Sequence, residues 1–396
     1  MDFADLIAPL REDEFLRTYW NKRPLHLPAP VHTVRDRLIG WERLNELLGV
    51  RAHWTDRHIK LVLNSRQVMA DFYMDDVPQS GGGTVRLADP AKVETFLAMG
   101  ASLVADQIED AAPEIRALTA ALSRRFAARV NANLYASFKG VQAFASHCDL
   151  HEVFAVHCHG EKRWRIYANR ADNPLEPLEG ADAQAQIDAA KGPVLMDVTL
   201  KPGDMLYIPR GFFHDAMASA RESLHLTIGL APPSGRLLFG LLEQAAIADP
   251  AFRAYLADAR NDGGAPLAAQ IADLMERLQH IAAQPAFRED VQRAQARLAG
   301  PAHRLTLPAR PALASYARSD RPAIVERRPN GTVLRHTGGE VAIGLLGDVA
   351  AYLLERPAVS TQELAANFPH HHHEAIVGLV ATAERLGLVR RYQPQL

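Results

Sequence analysis

The sequence predicts a mainly β chain with added helices, of the α+β class. Its central strands close into a double-stranded β-helix barrel, with a helical region and a small C-terminal domain behind it. Three observations carry that expectation. Between Asn131 and Thr227, short alternating or wholly apolar runs are separated by turn signals, clearest at Gly203-Asp204 and Pro209-Arg210-Gly211. The same stretch places His147 and Asp149 near one end and His214 near the other. After Pro232-Pro233 the period changes from two to helical, with Ile271, Leu274, Leu278 and Ile281 on one stripe.

Bulk properties set the bounds. A chain of 396 residues buries a substantial core and holds more than one domain. The divisions fall at 1–232, 233–305 and 306–396. Hydrophobic content of 48% and charge of 23% belong to a globular chain rather than a disordered one. A formal net charge of −2 gives no global drive toward nucleic acid, so direct nucleic-acid binding is not expected. Two cysteines, Cys148 and Cys158, make no disulfide framework, and a reducing cytoplasm is the simplest compartment. No basic-then-apolar leader opens the sequence, and no run reaches the roughly 18 apolar residues of a membrane span.

The elements follow in order. Glu12–Tyr19 is an amphipathic helix, and Trp20-Asn21-Lys22-Arg23-Pro24 leads onward as a packing arm. Residues 40–49 are a short helix, and 58–64 alternate as a strand. Gly81-Gly82-Gly83 lacks a following Lys-Ser/Thr, so it is no phosphate loop. Asp89 caps a helix to about Met99, and Pro113 starts another that runs to about Phe126. Asn131, Asn133 and Tyr135 then share one face of a strand, with Ala132, Leu134 and Ala136 on the other. Glu152–His157 continues as a strand, Gly160-Glu161 turns the chain, and Lys162–Tyr167 returns. After a loop with a short helix at Asp182–Ala190, strands at Pro193–Leu200 and Met205–Ile208 follow, and His214 opens a further short strand. Helices are expected at Leu237–Ile247, Ala265–His280 and Glu289–Leu298. In the last domain, Ala323–Glu326 and Val333–His336 flank the hairpin signal Asn330-Gly331. Helices at Gly344–Leu354, Thr361–Ala366 and Glu374–Leu386 and a strand at Leu388–Tyr392 complete it. His370-His371-His372-His373, just before a helix, reads as an exposed loop able to pick up Ni or Zn.

The chemistry concentrates at the barrel. On a strand, whose side-chain period is two, His147 and Asp149 project from the same face while Cys148 points away. With a distal His, two imidazoles and a carboxylate cap one face of an octahedral ion and leave three positions open. That is the ligand set of non-haem Fe(II) oxygenases. His214, directly after the Pro-Arg-Gly turn, is the favoured distal ligand, with His225 the alternative. Lys162 shares a face with Trp164 and Ile166. If that face points inward, the ammonium must meet an anion; in the opposite register Arg163 points in and Lys162 out.

These residues carry a resemblance. Asn133-Leu134-Tyr135, His147-Cys148-Asp149, Gly160-Glu161-Lys162-Arg163-Trp164-Arg165-Ile166-Tyr167, Gly203 to Gly211 with His214, and Ser223-Leu224-His225-Leu226-Thr227 together resemble the JmjC branch of the cupin superfamily. These are the Fe(II)- and 2-oxoglutarate-dependent oxygenases. Within the branch, the chain is most similar to the bacterial ribosomal-oxygenase type, which hydroxylates ribosomal proteins. The resemblance implies Fe(II) held by His147, Asp149 and His214, with 2-oxoglutarate as cosubstrate and O2 as oxidant. It implies that Lys162 receives the far carboxylate of 2-oxoglutarate, that Asn133 lies beside the cosubstrate, and that Tyr135 lies near the substrate entrance. It implies a protein substrate, a ribosomal protein oxidised on Arg or His, a homodimer formed by the helical region, and a C-terminal winged-helix domain. A peptide or natural-product hydroxylase of the same chemistry and a non-catalytic metal-binding cupin are the competing expectations.

Overall fold

The alternating runs between Arg129 and Ala231 become strands because each has one face to bury and backbone groups that must pair. The structure, a computed structural model, describes residues 1–30, 33–138, 145–298, 315–328 and 331–392, apart from the side chains of residues 36, 51 and 218–221. Two compact units make up the chain, Met1–Pro232 and Pro233–Leu396.

The strands of the first unit are β1 (Leu25–Leu27), β2 (Ile59–Leu63), β3 (Arg66–Gln67), β4 (Met74–Pro78), β5 (Thr84–Ala88), β6 (Ser102–Ala105), β7 (Arg129–Phe138), β8 (Glu152–Arg170), β9 (Val194–Leu200), β10 (Met205–Ile208) and β11 (Phe212–Ala231). Among the described residues, nine of them form one sheet in the order β1-β10-β8-β11-β7-β6-β2-β3, with β9 also on β8, while β4 and β5 pair as a hairpin. The pairings are antiparallel.

Two long strands give the barrel its doubled character. The first half of β8, at Val153–Val156, pairs with β10 and with the second half of β11. Its second half, from Lys162 to Ile166, pairs with β9 and with the first half of β11. The expected turn at Gly160-Glu161 is therefore a bend inside one 19-residue strand. Gly160 sits at φ 69°, and a Cβ there would lie 1.9 Å from the carbonyl oxygen of Glu222. Only glycine lets the strands approach that closely while the chain bends. Likewise His214 lies near the start of a 20-residue strand rather than in a short one.

The apolar faces of these strands are covered by helices. Phe154, Val156, Leu134, Leu226, Ile228 and Leu230 join Phe3, Leu6, Phe15, Ile115, Leu118 and Leu122 in one core. The last six come from helices Phe3–Ile7, Glu12–Thr18 and Pro113–Phe126. Strand alternation then sends Asn131, Asn133, Tyr135, His225 and Thr227 to the opposite face, where they line a cavity. The N-terminal arm is fastened by Arg35, which is fully buried. Its guanidinium donates to the carbonyls of Gly203, Leu6, Ala8 and Pro28. The Gly203-Asp204 turn is held from the other side, with Asp204 accepting from the amides of Ala29 and Lys201.

The second unit contains helices Arg236–Ala246, Ala265–Ala283 and Pro285–Leu298. It continues through β12 (Ser315–Arg318), β13 (Ala323–Arg328), β14 (Gly331–His336), β15 (Gly339–Ala342) and helix Gly347–Glu355. After them come β16 (Ala358–Ser360), helices Thr361–Asn367 and His373–Arg385, and β17 (Val389–Arg391). Strands β16-β12-β17 form one small sheet and β13-β14-β15 another, both antiparallel. The hairpin of β13 and β14 pairs Arg328 with Gly331, while Asn330 and the expected domain boundary at 305/306 lie outside the described residues. A separate core gathers Tyr316, Val349, Leu353, Leu364, Ile376, Leu379 and Val380. The amphipathic helix Ala265–Ala283 has no buried residue, and Ile271 and Met275 on it are about half exposed. No helix among the described residues is long and apolar enough to cross a membrane.

Candidate metal centre

Backbone pairing brings the two halves of the site together. His147 and His214 form an isolated antiparallel bridge. The His147 amide donates to the His214 carbonyl at 3.0 Å, and the His214 amide donates back at 2.8 Å. His147 and Asp149 do not sit on a regular strand, as the sequence reading had them; apart from that bridge, their segment is turn and coil. Asp149 is fixed instead through its own carbonyl, which accepts from the Gly211 amide at 2.9 Å. Gly211 stands at φ 84°, and a Cβ there would lie 2.4 Å from the Ala171 carbonyl oxygen. The Pro-Arg-Gly turn is therefore a clamp for Asp149 as well as a connection.

One ligand atom from each of His147, Asp149 and His214 lies within 4.8 Å of the other two. His214 Nε2 stands 3.4 Å from Asp149 Oδ2. The two imidazole centroids are 4.5 Å apart. His147 Nδ1 lies 2.9 Å from the Ala145 carbonyl and His214 Nδ1 lies 3.0 Å from that of Phe212. A carbonyl only accepts, so each Nδ1 carries the proton and each Nε2 keeps its lone pair for a cation. The donor set, two imidazoles and one carboxylate facing a cavity, fits a divalent transition ion that retains exchangeable positions.

Below the three ligands lies a cavity of about 120 Å3, whose lining includes Asn133, Tyr135, Lys162, Trp164, His225 and Thr227. By the measure in which one water takes roughly 10–15 Å3, there is room for a small dicarboxylate. Lys162 is buried and turned inward, while Arg163 is exposed and paired with Asp197 on β9. Among the described residues no carboxylate pairs with Lys162; its Nζ lies 5.9 Å from the Tyr135 ring centre.

Residues 108–238 match the family model described as the JmjC domain. The chain carries a JmjC domain. In sequence it is similar to the Drosophila persimilis protein named bifunctional lysine-specific demethylase and histidyl-hydroxylase NO66, at 31% identity over 226 residues, 57% of this chain and 31% of that one. It is also similar to rat ribosomal oxygenase 1, at 30% identity over 227 residues, 57% of this chain and 36% of that one. The match thus spans about a third of the length of these curated relatives. The solved structure of YcfD, a ribosomal oxygenase from Escherichia coli, aligns over 97% of this chain and 99% of its own, at 17% identity and a TM-score of 0.47.

Around His147, Asp149 and His214, which lie within the JmjC match, runs a supporting layer that the spacing of the sequence did not reveal. Asp215, next to His214, is buried and accepts from Ser146 Oγ at 2.8 Å and from Tyr167 Oη at 2.6 Å. Ser146 precedes His147, so one carboxylate ties together the two segments that carry the imidazoles. The signal was present, since Ser146 and Asp215 flank the predicted ligands, but nothing in the spacing says that they meet. Trp164 stacks over His214 with centroids 6.0 Å apart. His225 stacks on Tyr135 at 4.8 Å and belongs to the cavity wall rather than to the ligand group. Asn133 lines the cavity while its Oδ1 accepts from the Gln107 amide at 3.1 Å.

The electrostatics suit an anionic guest beside a cation. Burial acts to raise the Asp149 carboxyl, but His214, His147 and His151 outweigh it and hold it below its ordinary range. Burial pushes the His214 imidazole down to about 4, so it is neutral and free to ligate at physiological pH. Burial pushes His157 down to about 4 and His225 well below its ordinary value. Both rings near Lys162 are therefore neutral, and Lys162 is the cation at this end of the cavity. Burial lowers it too, to about 7. Trp164 Nε1 and His225 Nδ1 are buried with no hydrogen-bond partner among the described residues, a demand that a polar ligand meets.

Proposed function

We propose that this chain is an Fe(II)- and 2-oxoglutarate-dependent protein hydroxylase that oxidises an Arg or His side chain of a ribosomal protein. The observation that carries the reading is the convergence of His147, Asp149 and His214 over a cavity in which Lys162 is buried with no carboxylate partner among the described residues. When bound, ferrous iron with 2-oxoglutarate and O2 supplies the oxidation of a C–H bond to C–OH, with succinate and CO2 as co-products. The chain's own part is holding and orienting. His147, Asp149 and His214 grip the metal through Nε2, a carboxylate oxygen and Nε2. Lys162 pairs with the far carboxylate of the cosubstrate, Asn133 lines its flank, and Tyr135 and Trp164 narrow the approach so that one substrate bond reaches the open side.

The substrate class is drawn from the relatives, which are named for ribosomal oxygenation and for histidyl hydroxylation. A ribosomal-protein substrate places the work in the cytoplasm. We read the last domain as winged-helix-like: its helices Thr361–Asn367 and His373–Arg385 carry few Lys or Arg, which favours protein contact over base reading. We assign homodimerisation to the helical region, where the stripe of helix Ala265–Ala283 stays unburied.

Two measurements test the function. Anaerobic titration of the chain with Fe(II) and 2-oxoglutarate should give a visible charge-transfer band, and His147→Ala should abolish it. Ribosomal proteins from cells with and without the gene should differ by one oxygen atom on one side chain. If succinate is released without any oxidised ribosomal protein, the chemistry stands and the substrate assignment falls. Without the band, the oxygenase reading falls as well.

A further inference from the structure

The sequence marks His370-His371-His372-His373 as an exposed tract, but the structure separates its members. His370, His372 and His373 are exposed and His371 is half-buried. The imidazoles of His370 and His371 both reach Asp348, near the start of helix Gly347–Glu355. His371 Nε2 lies 3.2 Å from Asp348 Oδ1 and His370 Nε2 lies 3.5 Å from Oδ2. One ligand atom from each of the three lies within 4.8 Å of the other two, and the imidazole centroids are 4.3 Å apart.

The carboxylate at the centre is unusual. The Asp348 side chain is 2% exposed, and its Oδ2 has no hydrogen-bond partner among the described residues. Its Oδ1 accepts from the Val349 amide at 2.9 Å. Arg293 stands with Nε 3.8 Å from Oδ2, an ion pair without a hydrogen bond, and donates from Nη2 to Asp290. A buried carboxylate oxygen left without a hydrogen bond is costly, and the long ion pair with Arg293, whose guanidinium is shared with Asp290, offsets that cost only in part. Metal bonds of about 2.0–2.1 Å at tetrahedral angles set neighbouring ligand atoms roughly 3.3–3.4 Å apart. The two imidazole nitrogens approach the carboxylate from its two oxygens, at 3.2 Å from Oδ1 and 3.5 Å from Oδ2, so a small rotation of the carboxylate brings one oxygen to that spacing from both.

We infer that Asp348, His370 and His371 form a second metal site, for a borderline divalent cation such as Zn(II), distinct from the centre at His147, Asp149 and His214. Two imidazoles and one carboxylate leave a fourth tetrahedral position for water. Bound there, the metal ties the turn between helices Thr361–Asn367 and His373–Arg385 to the start of helix Gly347–Glu355.

The test uses the full chain without an affinity tag, loaded with Co(II) or Zn(II) and passed through gel filtration. Wild type should retain two equivalents, and Asp348→Asn should retain one. A His147→Ala/His214→Ala variant should also retain one, and with Co(II) it should show the intense visible band of a tetrahedral ion. That band should vanish with Asp348→Asn or His371→Gln added and persist with His372→Gln/His373→Gln. Should the double-alanine variant not fold, the comparison of wild type with Asp348→Asn, both checked by circular dichroism, decides alone. Retention of one equivalent by both overturns the inference, leaving two imidazole–carboxylate hydrogen bonds without a metal. A second equivalent that survives Asp348→Asn and disappears with His372→Gln/His373→Gln overturns it too, as adventitious surface binding.

Discussion

At the residue scale, Lys162 and Asp215 decide most. Lys162 has its ammonium lowered from 10.5 to about 7 by burial. A dicarboxylate binds its protonated form, so affinity for 2-oxoglutarate should be flat below pH 7 and weaken about tenfold per pH unit above it. Isothermal titration across pH 6–9 checks this. Lys162→Met should remove the dependence and weaken 2-oxoglutarate binding about 100-fold while leaving Co(II) binding intact. The same shift acts on stability without ligand. The folded value lies below the unfolded one, so between them the unfolded chain holds more protons, and stability should rise with pH from about 7 toward 10.5. Asp215 acts through its neighbours, holding Ser146 and Tyr167 behind the two imidazoles. Asp215→Asn should lower iron affinity by about 10–100-fold with cosubstrate contacts unchanged, as a metal-competition titration would report.

At the scale of elements, the bend in β8 is what lets one strand serve both halves of the barrel. Gly160 sits where an added Cβ would meet the Glu222 carbonyl oxygen at 1.9 Å, on backbone rather than on a side chain that could swing away. Gly160→Ala should therefore destabilise the first unit by about 3 kcal/mol or more, combining the left-handed φ with the clash. The thermal midpoint should fall by several degrees, and 2-oxoglutarate affinity should fall with it, because Lys162 lies just beyond the bend. A variant at exposed Gly240, where an added Cβ meets nothing within 4 Å, is the control.

At the scale of the whole molecule, the second unit carries apolar surface that one copy of the chain leaves open. Phe239 is 75% exposed and Leu256 63% exposed, and Ile271 and Met275 add to them. The proposed dimer would bury these side chains. Sedimentation equilibrium should give twice the chain mass for wild type. Phe239→Asp with Met275→Glu should shift it toward the monomer while Co(II) binding at the barrel persists. A wild-type monomer at micromolar concentration would remove the proposed role of this region.

Periodicity, turn residues and caps were readable one segment at a time. The helices Pro113–Phe126 and Pro90–Ala98, the latter capped by Asp89, lie where their starting signals put them. So does the alternation that turns Asn133 and Tyr135 toward one side of β7, because all of these depend on residues a few positions apart. What joins distant segments was not readable in that way. The bridge between His147 and His214, the clamp from Gly211 on Asp149, the Asp215 cluster and the turn of His370 and His371 onto Asp348 each depend on backbones that meet only after folding. Local sequence determined which residues could bind a metal and which faces would be apolar. Tertiary structure decided which donors share a point in space, because that depends on strand register and a glycine bend rather than on spacing along the chain.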